Sequence, residues 1–281
     1  MEDEIVIGID KNSSNKSKPS KKKKNSKKTK AKKQNAPRGK MRKQAKVLFG
    51  IIIFIVLLIL LLCSPIFDIK KIEVSGNSKL SDEKIISFSS IELHTNIFNF
   101  NKGLVKEYIK ENPYVESVEV IRKLPSTIQI EINEREPKYM LQLAESYVYI
   151  NNQGYMLEVT NEKLDIPILI GFTTDLSNID EGNRIDVKDL KKMDMVIKIY
   201  EAAKSNGLGD LITKIDISNE KNYSIILETE GKTVYLGDCS ELNTRILYLK
   251  SILETLQGKR GELFLNVDLN SQDAYFRPAS N

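Results

Sequence analysis

One uninterrupted apolar segment, residues 47–67, constrains this chain more than any other feature. It reads VLFGIIIFIVLLILLLCSPIF and contains no charged residue over its 21 positions. At about 1.5 Å per residue, a helix of this length spans about 31 Å, close to the hydrocarbon thickness of a bilayer. Seventeen of these residues are Ile, Leu, Val or Phe, and each favours insertion by roughly 0.3–0.6 kcal/mol. The segment predicts a transmembrane helix.

Two other interpretations of the apolar segment fit less well. A cleaved signal peptide has a core of about 7–15 apolar residues and a small-residue cleavage site, whereas this core is longer and continues as CSPIF. A buried helix that is apolar on every side must be surrounded by protein, and no other segment of the chain is suited to surround it. We therefore expect a retained membrane anchor.

Charge is distributed unevenly about the apolar segment. Residues 1–46 contain 17 Lys/Arg and 4 Asp/Glu, whereas residues 68–281 contain 26 and 34. Ten Lys/Arg lie in residues 27–46 but only four in residues 68–87. Because basic residues near a span stay on the cytoplasmic side, we expect a cytoplasmic N-terminus and a C-terminal region outside the membrane.

The first 46 residues are rich in Lys, Ser and Asn and contain few apolar groups. Such a composition cannot offset the loss of chain entropy, so this basic tail is predicted to be disordered. It could bind nucleic acid by neutralising phosphates, or orient the span and touch anionic lipid. The adjoining span and the lack of interleaved aromatic residues favour the second interpretation, so nucleic acid is not expected as a partner.

Residues 68–136 show a compact alternation of strand and helix patterns. Ile72 and Val74 alternate as a first strand. Ser81 can cap a short helix through Ser87, and a second amphipathic helix is stopped by Pro113. Two further strands form a hairpin, and in the second of them Ile128, Ile130 and Ile132 alternate with polar residues. The order is β-α-α-β-β, with the helices on one face of a small sheet.

The amino-acid sequence of this hairpin resembles that of a known protein family. Residues 118–137, VEVIRKLPSTIQIEINEREP, contain a strand ending in a basic pair, a Leu-Pro turn, an alternating strand and a Glu-Arg-x-Pro exit. Together with the basic tail and the anchor, this segment resembles the bacterial cell division proteins FtsQ and DivIB, whose first outer module is a POTRA domain. The resemblance implies an α+β protein with a disordered N-terminal tail, one transmembrane helix, a POTRA domain and a β-rich domain with two helices.

The remainder of the chain extends the resemblance. Helices are predicted at about residues 187–205 and 239–257, and the last strand at residues 263–269, LFLNVDL. Two short strands are expected around Gly154 within residues 147–158, and further short strands at residues 212–217, 223–229 and 233–237. The predicted divisions are a tail (1–46), a transmembrane helix (47–67), a POTRA domain (68–136), a β domain (137–277) and a C-terminal tail (278–281).

Catalytic signals are weak throughout the sequence. Cys63 lies in the predicted span and Cys239 beyond it, so they cannot pair within one chain, and two Cys with the single His94 do not form a usual zinc site. Cys239 could have a lowered thiol pKa at the start of a helix, but the sequence shows no neighbouring residue that could act as its general base. No nucleophile or phosphate-loop motif occurs. We expect neither a cofactor nor an enzyme.

The resemblance implies partners and a contact region instead. FtsQ and DivIB proteins bind the small bitopic division proteins FtsB (or DivIC) and FtsL, mainly through the end of the β domain. Carried onto this chain, the contact candidates are Val267, Leu269, Tyr275, Phe276 and Arg277, because aromatic residues and Arg suit interface hot spots. Val267 and Leu269 could equally face the core of their own sheet.

The function expected from these observations is a non-enzymatic scaffold of the cell division complex. It would link FtsB/DivIC-like and FtsL-like proteins and, indirectly, the septal penicillin-binding protein complex. Two alternatives stay open at this point: a membrane-anchored cell-envelope enzyme, and a nucleic-acid or lipid tether that works through the lysine-rich tail.

Overall fold

The computed structural model describes residues 38–268 and 273–279, so the predicted disordered tail lies largely outside the described residues. The first helix, α1, spans Arg38–Leu62. Within the described residues it is the single helix long and apolar enough to cross a bilayer, over Arg42–Leu62, with a mean hydropathy of 3.2. The boundary between the two units of the chain falls after Leu57, within α1, so the last residues of this helix group with the region that follows it.

The helix α1 ends before the predicted apolar segment does. Ser64 has an extended backbone (φ −70°, ψ 148°) and precedes Pro65, which starts a short 3-10 turn ending at Phe67. A residue before proline avoids the helical region, so α1 stops at Leu62 although the apolar composition continues to Phe67.

The predicted β-α-α-β-β module follows α1. Its elements are β1 (Lys71–Ser75), α2 (Asp82–Ser89), α3 (Lys102–Lys110), β2 (Val115–Lys123) and β3 (Thr127–Glu134). The strands form a sheet in the order β1-β3-β2, with β1 parallel and β2 antiparallel to β3. Ser81 caps α2 by accepting a hydrogen bond from the Lys84 N–H (3.3 Å), as its sequence position predicts. The three alternating isoleucines of β3 are buried.

The β-rich domain is built on one nine-stranded sheet in the order β12-β11-β10-β9-β8-β7-β4-β5-β6. The helices α4 and α5 contribute their buried apolar side chains to the core of this domain. The elements are β4 (Tyr139–Leu143), β5 (Ser146–Ile150), β6 (Met156–Thr160), β7 (Ile168–Ile170), α4 (Val187–Ser205), β8 (Lys214–Asp216), β9 (Tyr223–Leu227), β10 (Lys232–Gly237), α5 (Leu242–Thr255), β11 (Gly261–Phe264) and β12 (Tyr275–Pro278).

Two predicted elements of this domain are wrong in detail. The helix predicted from Cys239 begins only at Leu242, because Cys239 (φ 60°) and Glu241 (φ 53°) adopt the left-handed conformation. The Asp238 carboxylate accepts the Ser240 N–H (2.9 Å) and stabilises this turn. The strand predicted over residues 263–269 ends at Phe264, and a separate strand, β12, pairs with β11 instead.

The module and the β-rich domain share a hydrophobic core. Four side chains from the first strands of the β-rich domain, Met140, Tyr149, Leu157 and Ile168, belong to the cluster formed by the buried residues of the module. At the edge of this joint, Glu158 accepts hydrogen bonds from the Lys79 ammonium and the Tyr114 hydroxyl, both at 2.6 Å. The Lys79 ammonium, followed by Tyr114, lowers the pKa of Glu158. The joint therefore combines apolar burial with a charged hydrogen-bond network.

A fully buried carboxylate fixes the first turn of α4. Asp189 accepts hydrogen bonds from the Thr173 N–H (2.8 Å) and the Thr174 N–H (2.7 Å), and both threonine hydroxyls add a further bond. Burial alone would raise the pKa of Asp189, but the bonds from Thr174 and Thr173 outweigh it and the pKa is lowered. This carboxylate ties the loop after β7 to α4.

We predict that Asp189→Asn destabilises the folded outer region by about 2–3 kcal/mol, because it removes the negative charge that faces the buried Lys192 ammonium (3.7 Å) and leaves that ammonium without its carboxylate. Because the folded-state pKa lies below the unfolded value, the stabilisation is present above pH 4 and is lost as the pH falls through the folded pKa. Urea unfolding of the full chain in detergent at pH 7 measures the first effect, and the same measurement in a pH series from 5 down to 2 measures the second. Asp194→Asn, an exposed position on the same helix, is the matched control, and equal effects of the two variants would contradict the prediction.

Candidate functional site

The last three strands of the large sheet place three aromatic rings in a row. Tyr235 of β10 lies opposite Phe264 of β11, which lies opposite Tyr275 of β12. The centroids of Tyr235 and Phe264 are 4.9 Å apart and those of Phe264 and Tyr275 are 4.5 Å apart, with interplanar angles of 17° and 8°. Directly paired aromatic side chains stabilise neighbouring strands. We call these three residues the aromatic ladder.

Charged groups pack along one side of the aromatic ladder. The Arg277 guanidinium lies 4.8 Å from the Phe264 ring centroid and pairs with Glu262 (Nη1 to Oε2, 3.0 Å). The Tyr235 hydroxyl donates to the other oxygen of Glu262 (3.0 Å). Burial, and then the hydrogen bond to Glu262, raise the pKa of Tyr235. Tyr275 remains half exposed, so the outer end of the ladder faces solvent.

The opposite face of the same strands belongs to the core. Val234, Leu263 and Phe276 lie in register across β10, β11 and β12. Val234 and Leu263 are buried, and Phe276 packs against them while remaining partly exposed. The Phe276 ring, predicted as a contact candidate, therefore points to the interior of its own domain.

The backbone of Phe276 is nevertheless available at the edge of the sheet. The Ala279 N–H donates to the Arg260 carbonyl (2.9 Å). Since hydrogen-bonded pairs recur at every second residue of an antiparallel ladder, Arg277 and Tyr275 direct their N–H and C=O groups to β11. The intervening Phe276 directs its N–H and C=O away from β11, and no described strand lies beyond β12.

The other end of the nine-stranded sheet is protected. The Met156 N–H at the start of β6 donates to the Asn183 carbonyl (2.8 Å), and the Gly182 N–H donates to the Met156 carbonyl (2.8 Å). Farther along β6, the Val159 N–H donates to the Glu181 carboxylate (2.9 Å). A loop thus covers the edge of β6, whereas β12 has no such cover among residues 38–268 and 273–279.

The remaining contact candidates lie apart from the aromatic ladder or outside the described residues. Val267 is partly buried in a bend after β11 and lines a polar cavity of about 720 Å³ together with Asp238 and Arg245. Arg245 donates to the Ser240 carbonyl (2.7 Å), and its buried Nη1 has no hydrogen-bond partner among the described residues. Leu269 falls in residues 269–272, which the structure does not describe.

Sequence reasoning missed two members of the ladder, Tyr235 and Phe264. A signal existed, since Phe264 interrupts the apolar alternation of its strand and so places a large aromatic side chain on the polar face. Its pairing with Tyr235 depends on parallel pairing of β10 and β11 across helix α5. Spacing along the chain does not encode that register.

The thiol suspected from its position at a helix start is not activated. Cys239 is buried, and burial, followed by the nearby Asp238 carboxylate, raises the pKa of its thiol to about 12. This direction is opposite to the lowered pKa that a reactive cysteine needs. Among the described residues, no group of three or more His, Cys, Asp or Glu side chains could hold a metal ion.

Comparison with known proteins matches both outer parts of the chain. A family model described as "POTRA domain, FtsQ-type" matches residues 67–135. A second, described as "Cell division protein FtsQ/DivIB, C-terminal", matches residues 140–270. The strand β12 begins beyond the second matched range.

Individual proteins that are similar to this chain are named as FtsQ or DivIB cell division proteins. Cell division protein DivIB of Clostridium botulinum (strain Hall) is 30% identical over 239 residues, covering 82% of this chain and 91% of the relative. DivIB of Clostridium tetani is 29% identical over 81% of this chain and 86% of its own length. Cell division protein FtsQ of Syntrophotalea carbinolica is 24% identical over 72% of this chain and 71% of its own length. This membrane-anchored chain therefore belongs to the FtsQ/DivIB family of cell division proteins.

Proposed function

We propose that this chain is a non-enzymatic scaffold of the division septum, anchored by α1 with its N-terminus in the cytoplasm and residues 68–281 outside. The excess of Lys and Arg before α1 supports this orientation. A POTRA domain (68–136), a β domain (137–277) and a short tail (278–281) are the working divisions of the outer region. Family membership supports a role in cell division.

The open edge of β12 is the observation on which the proposal rests. An extended segment of a partner can add a strand there, because the outward N–H and C=O of Phe276 offer backbone hydrogen bonds. Side chains of the added strand would alternate between the aromatic ladder and the face of Phe276. Tyr275 and Arg277 are the exposed side chains beside such a strand, and we assign them the main contacts.

The proposed partners are small bitopic division proteins of the FtsB/DivIC and FtsL type, with the septal penicillin-binding protein complex bound indirectly. Partners anchored in the same membrane meet at a high effective concentration, so a short edge strand suffices for stable association. This fits the modest size of β12, which has only four residues.

Loss of the outer ladder ring should weaken partner binding. We predict that Tyr275→Ser in the full chain weakens the affinity for a DivIC-type protein by about 30-fold, the scale of one interface hot spot. The measurement is the amount of the co-expressed DivIC-type protein that co-purifies with the full chain. Tyr248→Ser is the matched control, since Tyr248 is 45% exposed on α5 and Tyr275 is 50% exposed. Undiminished capture by the Tyr275 variant, or equal loss in both, would reject β12 as the contact.

The proposed orientation predicts an asymmetric response to protease. In intact cells from which the wall has been removed, external protease should digest residues beyond α1 and leave an N-terminal epitope on residues 1–46 intact. Immunoblots with tags at the two ends measure this. Protection of the C-terminal tag together with loss of the N-terminal tag would show that the topology is the reverse of the one proposed.

An anchored enzyme with a thiol nucleophile is the alternative that the structure allows to be tested most directly. At pH 8 a thiol with a pKa of about 12 is ionised in about one molecule in ten thousand, whereas an ordinary thiol is ionised to about a quarter. We predict that Cys239 in a Cys63→Ser variant reacts with an aromatic disulfide reagent at least about 100-fold more slowly in the folded protein than in urea. Equal rates in the two states would show an accessible thiol of ordinary reactivity, and a faster rate in the folded protein would show an activated one; either result would contradict the prediction.

A further inference from the structure

One end of the β-α-α-β-β module lies beside the end of the membrane helix. The strand β1 begins at Lys71, shortly after α1 ends at Leu62. Because β1 runs parallel to β3, the start of β3 and the turn before it lie at this same end. The Lys70 N–H confirms this by donating to the carbonyl of Ser126 in that turn (2.8 Å). The chain leaves β3 at the opposite end, toward the β-rich domain.

The loop between α2 and α3 is hydrogen-bonded to the last residue of α1 and to the turn that follows this helix. The Asn96 side-chain amide donates to the Leu62 carbonyl (2.8 Å), and the Ile97 N–H donates to the Phe67 carbonyl (2.8 Å). The rings of Phe67 and Phe98 lie 5.5 Å apart. Leu62 belongs to the same compact unit as the module, so these bonds hold the loop against the last turn of α1.

Large apolar side chains are exposed at this end of the module. They come from the turn after α1, from the α2–α3 loop and from the β2–β3 turn, and each is between 40% and 59% exposed: Ile66, Leu93, Phe98 and Leu124. We call these four residues the apolar rim. Apolar side chains gathered at one end, instead of scattered singly, mark a surface that contacts another phase or another protein.

Charge does not distinguish this end. Lys71 and Lys123 both pair with Glu73, at 2.8 Å and 3.4 Å. The exposed Lys70 and Glu92 carry opposite charges at the same end. Because basic and acidic side chains lie together at this end, charge gives it little attraction for anionic headgroups, and we assign the driving force to burial of apolar area.

From these contacts we infer that the apolar rim inserts into the interface of the bilayer that α1 spans, at the face where α1 ends. The bilayer is the occupant because the rim is continuous with an element already in lipid: Asn96 is one hydrogen bond from the last residue of the helix. Exposed apolar side chains at loop tips gain free energy by entering the headgroup–acyl boundary. The module thereby has two attachments to the membrane, the covalent one and the rim. This inference rests on the anchor and is independent of β12.

A tryptophan probe tests the insertion, because the chain contains no native Trp. The full-length Phe98→Trp variant is reconstituted in zwitterionic vesicles with lipids brominated in the acyl chain. We expect blue-shifted emission, quenching by the brominated lipid and protection from aqueous iodide. Tyr248→Trp in the β-rich domain is the matched control and should show water-like emission, no lipid quenching and full iodide access. Equal iodide access of the two probes would overturn the inference, since a residue merely near the surface stays hydrated.

A second comparison separates apolar insertion from electrostatic attraction. In the Phe98→Trp background, Leu93→Asn with Leu124→Asn should at least halve the lipid quenching, while Leu247→Asn with Val159→Asn, exposed apolar positions of the β-rich domain, should leave it unchanged. Quenching should be the same in zwitterionic and anionic vesicles. Quenching that requires anionic lipid, or that survives the rim substitutions, would overturn apolar insertion as the mechanism.

Discussion

The exposed apolar surface of α1 is the constraint on which the rest of the molecule depends. Every described side chain of the helix from Lys43 to Leu62 is exposed, and most of them are Ile, Leu, Val or Phe. In water this surface would cost far more free energy than a folded domain has to spare, so the helix must lie in lipid. Once it does, residues beyond it are confined to a thin layer at one membrane face. Interfaces too small for partners free in solution then become adequate.

The two ends of the large sheet show how the fold selects where an interface can form. A sheet with two open edges would invite indiscriminate pairing. The edge of β6 is closed by backbone bonds to Gly182 and Asn183, whereas in the part of the chain that the structure describes β12 pairs only with β11. Pro278 closes β12 at its last residue, at an outward position where a strand loses no ladder hydrogen bond. Within the described residues the large sheet therefore has one open edge, which is short and marked by an aromatic row, and we expect these features to restrict pairing to a partner that fits them.

Local patterns in the sequence predict most of this fold. The alternation of Ile128, Ile130 and Ile132 identifies β3, and Ser81 identifies the start of α2, because burial on one face and capping act within a few residues. The helix over residues 187–205 follows from its apolar stripe and the glycine after it. The failures are non-local or conformational. The turn at Asp238 delays the start of α5, and β12 is defined only by its pairing with β11, which ends at Phe264, well before β12 begins at Tyr275. The sequence therefore predicts a candidate contact region at the end of the β-rich domain but not the aromatic ladder that the fold assembles there.

The joint between the β-α-α-β-β module and the β-rich domain determines whether attachment of the module to the membrane also fixes the orientation of β12. Met140 and Ile168 belong to the core of the module, while Leu141 and Leu169 beside them belong to the core of the β-rich domain. Successive residues of a strand point to opposite faces, so β4 and β7 each contribute one face to the core of the module and the other face to the core of the β-rich domain. Rotation at this joint would expose apolar surface on one side and break the network of Glu158 on the other. A module fixed to the bilayer at two points would consequently present β12 in a defined orientation, which reduces the orientational search of a partner that is itself held in the membrane.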